Sequence, residues 1–174
     1  GYMAAAGSSF QQRSGIEDAP ERMLDDMLRA GRELNHRALA RTVCERSVDT
    51  FDWLIDEFGV EFHEAPRLLG GHSVARSHRT HNDSGSGIVR PMLDALRSED
   101  VPLLTERRTD ALVRDDGGRV VGVRIVAEGD GEDAAPSYLR ARHGVILAAG
   151  GFSADVAYRQ VQDPRLGPEL SHTN

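Results

Sequence analysis

A short, almost wholly apolar segment constrains the fold of this chain more than any other feature. Residues 143–149 read His-Gly-Val-Ile-Leu-Ala-Ala, and Gly150 and Gly151 follow directly. An apolar run of this length, closed by glycines, is typical of a strand that a parallel sheet buries on both faces. Because residues 148–151 carry no atoms beyond Cβ, a planar or phosphorylated ligand can approach their backbone N–H groups. The segment predicts a ligand site beyond the carboxyl end of an inner strand, with a tight ligand-free turn as the alternative.

The first hundred residues have the apolar spacing of helices. Helices are predicted over residues 20–31, 35–59 and 85–100, and a glycine-rich loop over residues 68–87 precedes the third. The residues expected to face the core on the second and third helices are Leu39, Val43, Phe51, Leu54, Ile55, Phe58, Ile88, Met92, Leu93 and Leu96.

From residue 101 onward the apolar period changes from 3.6 residues to 2, which is typical of strands. Strands are predicted at residues 60–62, 101–105, 109–114, 120–127 and 138–142. The run Asp115-Asp116-Gly117-Gly118 predicts a hairpin turn, since Asp and Gly accept positive φ values. The sequence therefore predicts a mixed α/β fold, mainly helical up to residue 100, β-rich over residues 101–151, and ending in a loop segment over residues 152–174.

Composition excludes several classes of function. The 174 residues carry a formal net charge of −7, which argues against a nucleic-acid partner. No apolar run approaches the length of a membrane span. Cys44 is the single cysteine, so an internal disulfide and a cysteine-based zinc site are excluded.

Histidines cluster at residues 72, 78 and 81, close to Asp83. Imidazole and carboxylate groups can hold zinc, but this spacing contains no helical i, i+4 pair and the loop is rich in Arg and Gly. We predict no metal site here.

Small residues dominate the first nine positions, which read Gly-Tyr-Met-Ala-Ala-Ala-Gly-Ser-Ser. Such a segment suits a backbone that runs close to a ligand or to another segment, and a disordered tail is the alternative. It lacks the basic and apolar regions of a secretory signal. The location of the protein stays open, with a cytoplasmic one favoured.

Five segments, in this order, resemble the FAD-binding domain of the fumarate reductase/succinate dehydrogenase flavoprotein superfamily. They are residues 1–9, the Gly-Gly-His-Ser-Val-Ala-Arg-Ser-His-Arg-Thr loop at 70–80, Arg-Val-Val-Gly-Val at 119–123, residues 144–153, and Ser-His-Thr-Asn at 171–174. The likeness is greatest to the soluble fumarate reductase-like and 3-oxosteroid dehydrogenase-like members. It implies a Rossmann-like fold, an antiparallel hairpin layer and FAD as cofactor.

The resemblance also implies roles for individual residues. Gly1 would lie near the flavin ring or its ribityl chain, and the Thr109 backbone would meet the adenine. Residues expected to line the ADP part of FAD are Ala148, Ala149 and Gly150, and those expected near the isoalloxazine are Thr173 and Asn174. Many relatives have Thr at the position of Ala149, so this chain lacks one hydroxyl hydrogen bond there.

The substrate class stays open between unsaturated acids and 3-oxosteroids. Arg76, His78 and Arg79 can draw an anionic substrate by charge, which favours the acids. The alternative is that they are solvated loop cations paired with nearby carboxylates.

The sequence contains no G-x-G-x-x-G fingerprint for a pyrophosphate. We therefore expect residues 1–174 to form a single incomplete FAD-binding domain, without a catalytic residue and inactive alone. The parent would be a flavin-dependent oxidoreductase that transfers a hydride between flavin and a C–C bond next to a carboxylate or carbonyl. A stand-alone binding module without redox activity is the alternative from another class. Without parallel neighbours, the apolar strand would be an exposed sheet edge that invites self-association.

Overall fold

The computed structural model describes residues 1–128 and 135–170, which fall into two compact units, Gly1–Leu103 and Leu104–Asn174. The architecture mixes helices with antiparallel sheets, so the α/β class is confirmed at this level.

The first unit combines five helices with a two-stranded antiparallel sheet. The strands are β1 (Tyr2–Ala4) and β2 (Ser77–Arg79), and they pair with Met3 opposite His78. The helices are α1 (Ser9–Arg13), α2 (Pro20–Ala30), α3 (Arg37–Glu45), α4 (Ser47–Phe58) and α5 (Ser86–Ser98). Helix α2 begins at Pro20 and is capped by Gly31, as predicted.

The prediction of one long helix over residues 35–59 is wrong, because the chain forms two helices, α3 and α4, with a break at Arg46. The Ser47 hydroxyl donates to the Cys44 carbonyl at 2.8 Å and accepts from the Ala6 N–H at 3.1 Å. A serine bonded to nearby backbone in this way competes with continued helix. The predicted end at Gly59 is confirmed, with φ of +64°.

The break changes which face of α3 is buried. Leu39 and Val43 are 63% and 55% exposed, against the prediction, while Ala40 and Cys44 face the core. Burial raises the pKa of the Cys44 thiol, which keeps it a packing residue.

Two apolar clusters form the core of this unit. One contains Ala6, Met23, Leu24, Leu28, Ala40 and Cys44, and the other contains Ala5, Phe51, Leu54, Val60 and Phe62. Adjacent residues Ala5 and Ala6, 0% and 2% exposed, serve different clusters. The small residues of the opening segment are thus packed by the protein itself, and this segment is an ordered part of the unit.

Helix α5 packs less deeply than its sequence suggests. None of its residues is buried, although Ile88 and Met92 lie against the second cluster. The strand predicted at residues 60–62 is reduced to a single bridge between Phe62 and Thr80.

The second unit contains the antiparallel sheet β3-β4-β5 and one short helix. The bounds are β3 (Arg107–Arg114), β4 (Val120–Ala127), β5 (Ser137–Arg140) and α6 (Val156–Gln162). The predicted hairpin turn is confirmed: Gly118 has φ of +80°, and Asp115 Oδ1 accepts from the N–H groups of Gly117 and Arg119. Residues 101–105 form no strand, and helix α6 lies within the segment predicted as loop.

The buried parallel strand is not confirmed. Residues 143–149 pair with no strand of the described residues, and Ile146 and Leu147 are 93% and 67% exposed. A strand forms only where neighbouring backbone accepts hydrogen bonds from its N–H groups and donates to its C=O groups, and the described part of the chain supplies no such neighbour here.

Candidate functional site

The bend at residues 148–150 keeps the properties that made it a candidate ligand site. Ala148, Ala149 and Gly150 are all exposed. Gly150 has φ of +77°, and a Cβ built on it would meet no atom within 4 Å. A left-handed backbone of this kind favours glycine, so the residue type follows from the local geometry.

The backbone of this bend is available to a ligand. Within residues 1–128 and 135–170, the N–H groups of Ala148, Ala149 and Gly150 have no protein hydrogen-bond acceptor. Successive free N–H groups on a side-chain-poor turn can bind phosphate oxygens, and the open face accommodates a flat group. These residues fit the ADP part of FAD.

Thr109 is exposed on β3 opposite Ile125, at the start of a register irregularity. Thr173 and Asn174 lie outside the described residues. Their roles stay predictions.

Gly1 is held tightly in the first unit. Its nitrogen lies 3.1 Å from Thr80 Oγ1, and its carbonyl accepts from the Thr80 N–H at 3.0 Å. A Cβ at Gly1 would lie 2.8 Å from Gly85 Cα. The close approach of the loop before α5 therefore requires a glycine here, independently of any cofactor.

A capping box fixes the turn after β1. Ser8 Oγ accepts from the Gln11 N–H at 3.2 Å, and Gln11 Oε1 accepts from the Ser8 N–H at 3.3 Å and from the Gly7 N–H at 2.7 Å. Both side chains are fully buried. The Ser-x-x-Gln spacing is a recognisable helix-start signal, which the sequence analysis missed together with β1 and α1.

Arg76 is an interior residue, which corrects the expectation of a solvated cation. It is 0% exposed, with Nε 2.8 Å from Asp18 Oδ2, Nη2 2.9 Å from Asp18 Oδ1 and Nη1 2.7 Å from Asp26 Oδ2. Burial raises the pKa of Asp26, but hydrogen bonds from Ser73 and Arg76 outweigh it and lower the pKa to about 2. With both carboxylates in contact, the Arg76 charge is neutralised and cannot attract a substrate.

His78 is equally enclosed. It is 0% exposed, its Nε2 is hydrogen-bonded to Ser8 Oγ at 2.7 Å, and its ring lies 4.3 Å from that of Phe51 and 5.8 Å from that of Phe10. This burial lowers its pKa to about 4. His78 is therefore a neutral core residue, and direct contact with a substrate is excluded in this conformation.

We expect acid to destabilise the fold through His78. Unfolded His78 binds its proton near its ordinary pKa of 6.5, whereas the folded residue does so only near 4. Stability is therefore lost as pH falls from 6.5 towards 4, by up to about 3 kcal/mol. Denaturant unfolding at several pH values should show a smaller loss of stability in His78→Gln than in the unmodified protein. His81 is exposed, so His81→Gln serves as the control and should lose as much stability in acid as the unmodified protein. An equal pH dependence in the two variants would contradict this assignment.

Arg79 is the member of the three that reaches the surface. Its Nε lies 2.9 Å from Asp83 Oδ1, and His63 Nε2 lies 3.3 Å from the same oxygen. A role in drawing an anionic substrate thus stays a prediction for Arg79.

Among the described residues, no group of three His, Cys, Asp or Glu side chains is placed to share a metal ion. None of their helices is both long and apolar enough to cross a bilayer.

Known proteins match this chain over nearly its whole length. A family model described as "FAD binding domain" matches residues 1–172. The chain is 37% identical over its whole length to the acrylate reductase flavoprotein subunit of Shewanella woodyi, and covers 35% of that protein. It is 33% identical to the urocanate reductase of Eggerthella lenta, again over its whole length and over 28% of the relative.

A solved structure shares the fold. The open conformation of a flavocytochrome c3 fumarate reductase superposes with a TM-score of 0.85 and 26% identity, over 99% of this chain and 30% of that one. The chain thus spans about a third of the length of the proteins it matches. These matches confirm the resemblance and FAD as the cofactor. The chain belongs to the FAD binding domain family, and it is similar to the corresponding parts of acrylate, urocanate and fumarate reductases.

Proposed function

We propose that Ala148, Ala149 and Gly150 hold the ADP part of FAD in a flavin-dependent reductase of unsaturated acids. The observation that carries the proposal is the exposed bend with free N–H groups and an open face at Gly150. When bound, FAD supplies the hydride-transfer chemistry, and the protein supplies binding and orientation.

The chain's own residues do the positioning in this proposal. Thr80 and Gly85 hold the Gly1 backbone, and the Ser8–Gln11 capping box fixes the turn that follows β1. The buried Arg76 anchors the 70–80 loop from within, since the Ala5 N–H donates to its carbonyl at 3.1 Å. No residue of this chain is assigned a catalytic role.

The acid substrate class is supported by the relatives whose names specify acrylate and urocanate reduction. In such a reaction a hydride and a proton add across the C=C bond while the reduced flavin is oxidised. Arg79, whose side chain is 22% exposed and pairs with Asp83, is the residue of the 76–79 segment that we propose to act on the approach of an anion.

We further propose that residues 144–149 form an inner parallel strand when neighbouring strands are available in the complete protein. The exposed Ile146 and Leu147 support this, because an apolar pair rarely stays in water. The same surface should make the isolated chain self-associate, which light scattering measures.

The test uses the complete protein that carries this sequence. Flavin bound per chain is measured from the visible spectrum, and a reduced dye is then offered with fumarate, acrylate or urocanate. We expect bound flavin and dye oxidation with at least one acid. A protein that binds flavin, reduces none of the three acids, and oxidises a 3-oxosteroid with an electron acceptor would favour the oxosteroid alternative. A protein that takes up no FAD would favour the non-catalytic module.

A further inference from the structure

Arg159 is a buried arginine without a carboxylate. It lies on α6 and is 6% exposed, yet no ion pair is formed with it by any residue that the structure describes. Its guanidinium instead donates to four backbone carbonyls. Nε reaches Leu166 at 2.8 Å, Nη1 reaches Ser153 at 2.7 Å, and Nη2 reaches Gly167 and, at 3.4 Å, Leu170.

Such an arrangement ties separate stretches of backbone together. Hydrogen bonds from a charged donor are stronger than those between neutral groups, and a guanidinium presents five donors in a rigid fork. Three of the carbonyls belong to the turn over residues 166–170, and the fourth belongs to Ser153. Arg159 therefore joins to one helix both that turn and Ser153, which lies three residues after the candidate cofactor bend.

The segment after the bend meets α6 through two further contacts. The Phe152 carbonyl accepts from the Asp155 N–H at 3.0 Å, and the Phe152 ring meets the Tyr158 ring edge-on at 4.7 Å. Both aromatic residues are partly exposed, at 62% and 47%. Of the residues that make these three contacts, Arg159 is the buried one.

We propose that Arg159 is a positioning residue for the cofactor: it fixes the Ser153 carbonyl and so sets the direction in which the Ala148–Gly150 N–H groups point. This inference rests on the proposed function of that bend. A group that binds a ligand must be held in place to within a fraction of an ångström by the residues that support it. In this proposal, Arg159 is such a supporting residue.

The test compares Arg159→Met and Arg159→Lys with Arg165→Met in the complete protein. Arg165 is a matched control, because its 89% exposed side chain pairs only at the surface with Asp163, at 2.7 Å. Two quantities are measured: the FAD affinity of the flavin-free protein, and its amide hydrogen exchange at residues 150–153 without FAD. Arg159→Lys keeps the charge but not the fork, and it decides the matter if Arg159→Met does not fold.

We expect Arg159→Met to weaken FAD binding by about tenfold or more and to speed exchange at residues 150–153, with Arg159→Lys intermediate and Arg165→Met unchanged. FAD affinity and exchange within about twofold of the unmodified protein in a folded Arg159 variant would overturn the inference. An unmodified protein that binds no FAD would instead overturn the proposed function, and the exchange data would still report whether Arg159 holds the bend.

Discussion

Replacing Arg76 by methionine is expected to lower the free energy of unfolding by about 3–5 kcal/mol, because it removes the guanidinium that two buried carboxylates share. Asp18 and Asp26 are 0% and 3% exposed at their side chains, and Arg76 contacts both. Asp26 would keep only the largely exposed Arg29, at 3.3 Å, as a cationic partner, and Asp18 would have to be protonated or draw water into the core. Denaturant unfolding at neutral pH measures the loss.

The control for this prediction is Arg13→Met. Arg13 pairs with Glu64 at 3.1 Å, but both side chains are largely exposed, at 53% and 78%. Removal of a surface pair of this kind should change stability by less than about 1 kcal/mol. If Arg76→Met changed the free energy of unfolding by an equally small amount, the buried contacts of Arg76 with Asp18 and Asp26 would not be what stabilises the first unit.

Gly150→Val is expected to abolish the retention of FAD in the complete protein. The branched side chain would project from the bend into the space that we assign to the ADP part of the cofactor. It also strains the backbone, since φ is +77° at this residue. Flavin released per chain on unfolding measures the retention.

The control variant Gly118→Val shows how much of the effect of Gly150→Val comes from backbone strain and how much from filling the space assigned to the cofactor. Gly118 has φ of +80° and, like Gly150, no atom within 4 Å of a built Cβ, but it lies in the turn between β3 and β4. Both variants should lose similar stability, and the flavin should be lost from Gly150→Val alone. Equal flavin content in the two variants would contradict the placement of the cofactor.

The parts of the fold that local chemistry determines could be predicted from the sequence. Pro20 and Gly31 bound α2, and Gly59 ends α4 in a left-handed conformation. The turn at 115–118 forms because Asp115 accepts from two following N–H groups. Each of these signals acts over fewer than five residues, so no tertiary contact needs to be known.

The parts that failed depend on distant partners. The break between α3 and α4 involves Ser47 and Ala6, which are 41 positions apart. The sequence around Arg76 predicts an exposed cation in a loop. Its partners, Asp18 and Asp26, are 58 and 50 positions away in the sequence. No spacing rule connects such residues before the fold is known.

The candidate site divides in the same way. Gly150 could be identified because a run of small residues after an apolar segment is visible in the sequence. Arg159 could not, because its partners are backbone carbonyls, which have no sequence signature. The inner strand over residues 144–149 needs neighbours that the described residues do not contain.

Amide hydrogen exchange of the complete protein, with and without FAD, tests the placement of the cofactor most directly. The placement predicts that saturation with FAD slows exchange at residues 148–150 by about tenfold or more and leaves exchange at the hairpin turn, residues 117–118, unchanged. Unchanged exchange at residues 148–150 in a protein that has bound FAD would contradict it.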